Sequence, residues 1–327
     1  MKILIVGYGS IGKRHLKNLL KHTSSQFVVF SKQKNDEFLK KNKINVYNSI
    51  EKCLEEKPEI AFITNITSLH IPLAIKLAKH GLDLFIEKPL SNSMNGVNEL
   101  KKIIKKKKLI TQMGCNLRFH PCITKIRQLI LQNKIGKVIS IQSELGTYLP
   151  DWHPKEDYSQ GYASKKNLGG GVILTMIHDI DYLYWIFGNP HSLFSISGKF
   201  SDLKISSEDY CSGIICFKKN IFAELHLDFF QRPEFRSCKI KGKNGTIYWN
   251  SDTNQVKIFL NKIQKWQNVL TIENFERNDM YISEIRHFLK CVKDRKKTIN
   301  TIDEGIETMK IALAMKKSSE SRRMINI

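Results

Sequence analysis

The first third of the chain alternates short apolar runs with segments whose apolar residues recur every three or four positions. The runs are typical of strands in a buried parallel sheet, and the longer segments are typical of amphipathic helices. Strands are predicted at 2–6, 27–30, 44–47, 60–63, 83–86 and 109–113, with helices at 11–22, 49–56, 69–80 and 93–106. This order predicts a doubly wound parallel sheet, a Rossmann domain, over residues 1–118.

The rest of the chain changes to longer stretches in which apolar and polar residues alternate, typical of strands with one buried face. Turn signals such as Asn244-Gly245 separate them. Strands are predicted at 137–146, 192–199, 208–217, 221–230, 235–241 and 245–249, and helices at 121–132, 170–187, 279–294 and 303–319. Residues 119–327 therefore predict a second α/β domain, for substrate binding and oligomerisation, with a large, mostly antiparallel open sheet. Its last helix can pack back on the first domain.

The charge of the chain is strongly positive, at +22 from 53 basic and 31 acidic residues. Clustered cations favour nucleic acid because binding releases counterions. Here the basic residues are spread over the whole sequence, and only ten are Arg, the usual reader of bases. We expect no nucleic-acid partner and favour a small anionic molecule.

The seven cysteines are odd in number and form no Cys-x-x-Cys pair, as in a reduced cytoplasmic protein. Cys115, His120 and Cys122 have the spacing of metal ligands, but no second half of such a site follows, so no metal is predicted. No apolar stretch approaches the roughly 18 residues of a spanning helix. We expect neither a membrane segment nor a signal peptide.

A glycine motif, Gly7-Tyr8-Gly9-Ser10-Ile11-Gly12, follows the first strand and opens the first helix, the context of a dinucleotide fingerprint. Gly7 permits the tight turn, Gly9 lets the backbone approach a pyrophosphate, and Gly12 allows close packing of helix on strand. Ser10 and Ile11 begin the helix whose amino terminus holds the phosphate charge. The alternative is a glycine turn that binds no ligand.

The end of the second strand bears on the choice of cofactor. Sites that prefer NAD usually carry Asp or Glu there, about 20 residues after the glycines. This chain reads Phe30-Ser31-Lys32-Gln33-Lys34, with no acid. The Ser31 hydroxyl and the cations of Lys32 and Lys34 would suit a 2′-phosphate, which favours NADP over NAD. The alternative is that these lysines are solvated loop charges.

Four further motifs follow in order along the chain: Ile63-Thr64-Asn65 with His70, Phe85-Ile86-Glu87-Lys88-Pro89, Asn116 to Pro121, and Gly169-Gly170-Gly171 followed by His178 and Asp181. Together with the glycine motif they resemble the Gfo/Idh/MocA family of glucose-fructose oxidoreductase and inositol dehydrogenase, over nearly the whole chain. The resemblance implies an NAD(P)-dependent oxidoreductase that moves hydride between nicotinamide and a sugar carbon.

The resemblance also implies roles for individual residues. Lys88 would lie beside the nicotinamide and the reacting hydroxyl, next to Glu87, and His178 would exchange the proton. Hydride removal from a carbinol needs its oxygen stabilised and its proton removed, tasks that lysine and histidine can share. By resemblance, Thr64, Asn65 and His70 line the nicotinamide side, and Asn116, Arg118 and Asp181 line the substrate pocket. The alternatives are a surface lysine and a core histidine.

One position departs from the family pattern. Many members carry Asp or Glu three or four residues before the histidine, where this chain has Thr175. Threonine is no acid or base at neutral pH, although it can hydrogen-bond substrate, and Asp179 or Asp181 could replace the carboxylate. The departure bears more on the proton relay than on the oxidoreductase assignment.

An aromatic segment, residues 146–162, includes Trp152 and His153 and could close on a sugar face. The equal alternative is packing against a neighbouring subunit. This stretch resembles the family branch of bacterial cell-surface sugar pathways, which implies an acidic or nucleotide-linked sugar. An open sheet, as in relatives, predicts a homodimer or homotetramer.

Two other functions remain open at this point. One is a cofactor-binding regulator or scaffold that has the same fold without turnover, an alternative that Thr175 keeps open. The other is a related enzyme that reduces imines or linear tetrapyrroles, or that uses transient oxidation in a redox-neutral step.

Overall fold

A computed structural model describes residues 1–33 and 36–327, in two compact units. Unit 1 comprises Met1–Cys115 and Asn278–Ile306, and unit 2 comprises Asn116–Arg277 and Glu307–Ile327. Both units are therefore discontinuous, unlike the contiguous domains expected from the sequence. Lys34, expected to help hold a 2′-phosphate, lies outside the described residues.

Unit 1 is built on a six-stranded sheet in which all neighbouring strands run parallel. Its strands are β1 (Lys2–Val6), β2 (Gln26–Phe30), β3 (Asn45–Tyr47), β4 (Ile60–Ile63), β5 (Asp83–Glu87) and β6 (Thr111–Gly114), in the order β3-β2-β1-β4-β5-β6. The strand order reverses between β1 and β4, and ligands of such sheets bind at this switch point. The predicted Rossmann domain is confirmed.

The helices of the chain are α1 (Ser10–His22), α2 (Glu37–Lys41), α3 (Ile50–Glu55), α4 (His70–Lys79), α5 (Val97–Lys107), α6 (Pro121–Leu131), α7 (Val172–Thr175), α8 (His178–Phe187), α9 (Arg277–Asp294) and α10 (Ile302–Ser321). Helix α2 was not predicted because five residues are too few to show a helical period. Asp36 caps it by accepting hydrogen bonds from the N–H groups of Phe38 and Leu39.

The core of unit 1 explains why α9 belongs to it. Phe62 of β4 stacks on Phe85 of β5, with ring centres 4.6 Å apart. Phe288 of α9 sets its ring edge against both, at 5.7 Å from each. Ile285 belongs to the same buried cluster. A helix far along the chain thus completes the hydrophobic core beneath the parallel sheet.

Unit 2 contains a nine-stranded sheet in the order β14-β13-β12-β11-β7-β10-β9-β8-β15. The strands are β7 (Val138–Tyr148), β8 (Pro190–Gly198), β9 (Tyr210–Phe217), β10 (Ile221–Asp228), β11 (Phe230–Gly242), β12 (Gly245–Asn250), β13 (Gln255–Leu260), β14 (Trp266–Thr271) and β15 (Ile325–Asn326). All neighbours are antiparallel except β7 and β10, so the mostly antiparallel sheet is confirmed. Strands β13, β14 and β15 were not predicted; β14 is an edge strand of mostly exposed residues, and β15 has only two residues.

The helix predicted at 170–187 is divided into α7 and α8 by Met176 and Ile177. Glycines before it are required sterically. A Cβ on Gly170 would lie 2.3 Å from the carbonyl oxygen of Tyr162, and one on Gly171 would lie 2.3 Å from the Glu208 carboxyl group. The glycine run therefore serves close packing at the entry to these helices.

Within the described ranges, no helix combines the length and apolarity needed to cross a bilayer.

Candidate active site

The three glycines of the fingerprint play different steric roles. Gly7 has a φ of +99°, and a Cβ there would lie 2.8 Å from the backbone of Asn65. A Cβ on Gly12 would lie 2.2 Å from the Gly7 carbonyl oxygen and 2.8 Å from the Thr64 hydroxyl. An added Cβ at Gly9 would have no neighbour within 4 Å. Gly7 and Gly12 thus serve packing, whereas Gly9 faces open space.

Gly9 is the N-cap of α1 and supplies no side-chain acceptor to the first N–H groups of the helix. No acidic residue stands in the first turn, Ser10 is exposed and Ile11 is half-buried. Unsatisfied N–H groups and the positive end of a helix attract phosphate. These features fit the pyrophosphate of NAD(P), which Gly9, Ser10 and Ile11 would hold.

The loop after β4 is tied to the glycine turn and to the loop after β5. Thr64 donates its hydroxyl to the Gly7 carbonyl oxygen at 2.8 Å. The ring of His70 lies 2.8 Å from the Pro89 carbonyl oxygen through Nδ1 and 3.0 Å from that of Asn65 through Nε2. Burial lowers the pKa of His70, although these carbonyl contacts oppose it. Both His70 and Thr64 are buried and hold loops together.

Asn65 is half-buried, and its side-chain amide has no hydrogen-bond partner among the described residues, although its polar atoms are shielded from solvent. A shielded amide without a partner loses hydrogen-bond energy that a ligand or ordered water can restore. Asn65 therefore fits the cofactor-facing role that its motif implies better than His70 does.

Lys88 follows β5 and is half-buried. The preceding residue, Glu87, is only 6% exposed. One oxygen of Glu87 lies 2.6 Å from Nε2 of His15, and the other accepts a hydrogen bond from the Lys88 N–H at 3.2 Å. Glu87 thus holds the backbone of Lys88 by a hydrogen bond and has little exposed surface with which to contact a cofactor.

An acid, Asp36, follows β2 at the start of α2, beyond the residues at the strand end. Ser31 is half-buried and its hydroxyl accepts from the Gln33 N–H, while Lys32 is exposed. Farther along, the Asp36 carboxylate lies 3.2 Å from Lys13 Nζ and 3.4 Å from the Tyr8 hydroxyl. It escaped notice because it stands six residues after the strand.

Burial and hydrogen bonding at this cluster shift two pKa values. Burial would raise the pKa of Asp36, but hydrogen bonds from Lys13 and from two backbone N–H groups lower it on balance. Burial, followed by the charge of Asp36, raises the pKa of Tyr8 to about 12. Asp36 is therefore an anion whose oxygens are already engaged.

In unit 2, His178 is the first residue of α8 and is half-buried. Asp181, one turn later, is fully buried and forms a two-point ion pair with Arg118: Nε to Oδ2 and Nη2 to Oδ1, both at 2.8 Å. Thr308 donates its hydroxyl to the same carboxylate at 3.1 Å. Since Arg118 is only 1% exposed, this pair stabilises the start of α8, in place of the direct substrate contacts expected of it.

Asp179 is also fully buried, and its Oδ2 lies 3.2 Å from Nη2 of Arg236 on β11. Asp179 and Asp181 therefore lack the exposed surface that proton exchange with a substrate requires, so neither replaces an acid at Thr175. Thr175 and Asn116 are themselves buried, at 2% and 3% exposure. Sequence reasoning missed both arginine partnerships because their residues are far apart along the chain.

The aromatic segment after β7 consists of short 3₁₀ turns. Trp152 is half-buried, donates its indole N–H to the Thr147 hydroxyl at 3.0 Å and sets its ring against Phe229. His153 is exposed. The structure fixes Trp152 on the sheet and leaves His153 facing solvent.

His120 is the N-cap of α6, where its Nδ1 accepts from the Cys122 N–H at 3.1 Å. Burial first, then the charge of Arg236, lowers its pKa to about 4. The described part of the chain holds no group of three or more His, Cys, Asp or Glu side chains that could bind a metal. His120 and the buried Cys122 thus have structural contacts of their own.

Two family models match the chain. One, described as an oxidoreductase family NAD-binding Rossmann fold, covers residues 1–115, and the other, an oxidoreductase family C-terminal alpha/beta domain, covers residues 127–327. These models fall on the parallel sheet and on the nine-stranded sheet.

Individual relatives are distant but extend over the whole chain. The myo-inositol 2-dehydrogenase of Thermotoga maritima is 24% identical, covering 100% of this chain and 98% of its own. The scyllo-inositol 2-dehydrogenase (NAD(+)) of Bacillus subtilis is 23% identical, covering 96% and 92%. A solved levoglucosan dehydrogenase, in complex with NADH and levoglucosan, shares the fold with a TM-score of 0.88, 14% identity and coverage of 100% and 99%.

The glycine cradle, the motif around Lys88 and the matched models agree on one assignment. This chain belongs to the Gfo/Idh/MocA family of oxidoreductases, with an NAD-binding Rossmann domain and an α/β domain.

Proposed function

We propose that this protein is an NAD(P)-dependent sugar dehydrogenase or reductase in which Lys88 and His178 assist the transfer of the substrate hydroxyl proton. The observation that carries the proposal lies in unit 1. Gly9 opens a phosphate cradle after β1, and the half-buried Lys88 follows β5 at the same carboxyl edge of the sheet. A cation there suits an oxygen that gains negative charge during hydride transfer.

The nicotinamide supplies the hydride acceptor or donor when bound. In the oxidative direction, Lys88 stabilises the substrate oxygen at Nζ as its proton leaves, and His178 takes that proton and passes it to solvent. Reduction reverses these transfers. A histidine suits this task since its charge changes near neutral pH.

The two buried aspartates that follow His178 fix the start of its helix and do not relay protons. Arg118 with Asp181, and Arg236 with Asp179, anchor the first turn of α8. Among the residues that the family resemblance or the aromatic segment suggests for substrate, the exposed His153 and the half-buried Trp152 have the surface to contact it, whereas Asn116 and Thr175 are buried.

Two substitutions test the catalytic pair. We expect Lys88→Met and His178→Asn to lower kcat by about 10²- to 10⁴-fold while NADPH still binds. Turnover of Lys88→Met at the wild-type rate would contradict the proposal. Normal cofactor binding without turnover in the wild type would instead favour the regulator, the alternative that a buried Thr175 in place of an acid keeps open.

Our preference for NADP over NAD rests on Ser31 and on the exposed Lys32, where no acid stands directly after β2. The related scyllo-inositol dehydrogenase is named for NAD(+). Thermal unfolding with each of NADP, NADPH, NAD and NADH decides the matter, because a ligand of the native state raises Tm by mass action. A larger rise with NAD or NADH than with the phosphorylated pair would overturn the preference.

We further propose that the substrate is an acidic or nucleotide-linked sugar of surface polysaccharide synthesis. A net charge of +22 favours an anionic partner over the neutral polyols named for the relatives. Cofactor turnover with sugar acids and nucleotide sugars, beside myo-inositol and levoglucosan, tests this. A higher kcat/KM for the neutral compounds would contradict it.

We also propose that the protein forms homodimers or homotetramers in the cytoplasm. Exposed apolar residues lie on one face of three adjacent strands: Ile196 on β8, Ile214 on β9 and Phe222 on β10, each about half exposed. Such patches mark protein interfaces. Sedimentation should find an oligomer that Ile214→Glu dissociates, and a monomeric wild type would refute the proposed oligomer.

The proposed location in the cytoplasm is supported by the cysteines. All seven are free, as a reducing compartment requires.

A further inference from the structure

Two buried histidines hold the residues on either side of Lys88. We propose that His15 and His70 are positioning residues, which fix the backbone of Lys88 relative to the glycine cradle. This inference rests on the proposed catalytic role of Lys88. It assigns to His70 a task other than lining the nicotinamide.

The environment of His15 is apolar except at one point. Its ring is fully buried on α1, with the rings of Phe62, Phe85 and Tyr281 at centre distances of 5.6, 5.0 and 5.9 Å. Nε2 lies 2.6 Å from Glu87, whereas Nδ1 has no hydrogen-bond partner in the part of the chain that the structure describes. Burying the polar imidazole ring costs free energy that an apolar ring such as that of Phe would avoid. The contact with Glu87 therefore explains why a histidine stands at this position.

Glu87 passes this constraint on to Lys88. Its second oxygen accepts the Lys88 N–H, and its carboxyl group fills the space beside Gly114 of β6. A Cβ on Gly114 would lie 2.9 Å from the Glu87 carboxyl carbon. The carboxylate is thus confined by an imidazole, a backbone N–H and a glycine, and has little freedom to turn.

His70 acts on the other side of the lysine. It is 1% exposed and touches the carbonyl oxygens of Pro89 and Asn65. Each ring nitrogen faces one of these carbonyl oxygens, so the imidazole bridges the loop after β4 and the loop after β5. The residues before and after Lys88 are therefore both anchored, while the lysine side chain remains half-buried.

Both anchors are linked to the glycine cradle, His15 through its own helix α1 and His70 through Asn65. His15 lies one turn after Gly12 on α1, and the backbone of Asn65 abuts Gly7. Misplacing a catalytic group by about 1 Å can lower the rate by about 10²-fold. The direct polar contacts of the two histidines are with Glu87, Pro89 and Asn65 and not with the cradle glycines, so we expect them to affect kcat through the position of Lys88 more than cofactor affinity.

The test compares His15→Phe and His70→Phe with the wild type. We expect kcat to fall by about 10- to 100-fold, with the Kd of NADPH changed by less than about threefold. His15→Gln should recover much of the loss, since its amide can donate to Glu87. His80→Gln is the matched control, because His80 is an exposed histidine at the end of the same helix as His70, and it should behave as wild type.

Wild-type kcat in both Phe variants would overturn the inference. So would a loss of NADPH affinity as large as the loss of kcat together with a lower Tm, because that result indicates a merely structural role. If a Phe variant does not fold, His15→Gln and Glu87→Gln give the same comparison of kcat with Kd. Lys88→Met, measured in parallel, separates the two claims. If it retains turnover, the proposed function fails; if only the histidine variants retain it, positioning alone fails.

Discussion

Lys88 in unit 1 and His178 in unit 2 are both half-buried residues between buried neighbours, yet the neighbours are held differently. Beside Lys88 the anchors are imidazole contacts with a carboxylate and with carbonyl oxygens. Beside His178 they are two arginine–aspartate pairs, one of them fully buried. Two different chemistries thus fix the residues next to the two side chains that we propose to be catalytic.

The two chemistries respond differently to substitution. Removing one partner of a buried ion pair strands a charge and costs about 3–5 kcal/mol, whereas an unsatisfied neutral group costs about 1–3 kcal/mol. Variants in unit 2 should therefore lower stability most, and variants around Lys88 should lower turnover more than stability.

The largest loss of stability is expected for Arg118→Met, which leaves Asp181 charged and buried. We expect the free energy of unfolding to fall by about 3–5 kcal/mol, measured by urea denaturation. The double variant Arg118→Met with Asp181→Leu is the control, and it should recover much of the loss because no charge is stranded. If Arg118→Met alone lowers the free energy of unfolding by less than about 1 kcal/mol, as is usual for exposed ion pairs, the prediction is wrong.

Acid should destabilise unit 2 through His120. Its folded pKa of about 4 lies below the ordinary histidine value of 6.5, so the unfolded chain takes up a proton first as pH falls. Stability present above pH 6.5 is then lost down to pH 4, by on the order of 3 kcal/mol. Burial is the main cause of the lowered pKa, the charge of Arg236 lowers it further, and a hydrogen bond with Asn254 raises it.

Urea midpoints at several pH values measure this loss. Protonation of His120 at Nδ1 also breaks the hydrogen bond that this atom accepts from the Cys122 N–H. His120→Asn keeps a capping acceptor without titrating, so its stability should be flatter between pH 6.5 and 4. An equal pH dependence in both proteins would contradict the assignment.

Around Lys88, Gly114→Ala should disturb the Glu87 carboxylate without changing any polar group. The added methyl must displace that carboxylate, and overpacking of this kind costs about 1–3 kcal/mol. Urea denaturation and initial rates on one preparation measure both effects. Full turnover despite lost stability would show that the place of Glu87 does not matter to Lys88.

The smallest change is expected for Asp36→Asn, because the Lys13–Asp36 pair is partly exposed and such pairs contribute about 0–1 kcal/mol. Asparagine also caps a helix well. Removing the negative charge should nevertheless favour a 2′-phosphate and raise the ratio of NADPH to NADH affinity. An unchanged ratio would place Asp36 outside the cofactor site.

The sequence predicted unit 1 well because its signals are local. The strand runs and the three glycines stand next to the residues they affect, and the structure agrees with all six strands. The pairing of Arg118 with Asp181 joins residues 63 apart along the chain, and no local pattern reveals it. The packing of helix α9 in unit 1 could not be predicted for the same reason, since its partners Phe62 and Phe85 lie some 200 residues earlier in the chain.

The most direct test of the account is the affinity of Gly9→Val for NADPH and NADH. Gly9 has an ordinary φ of −78°, and an added Cβ meets no atom within 4 Å, so the unliganded variant should unfold at the wild-type Tm. The side chain would nevertheless occupy the place of the pyrophosphate, and we expect affinity to fall by about tenfold or more, about 1.4 kcal/mol. Wild-type affinity in this variant, or no binding of either cofactor by the wild type, would contradict the account.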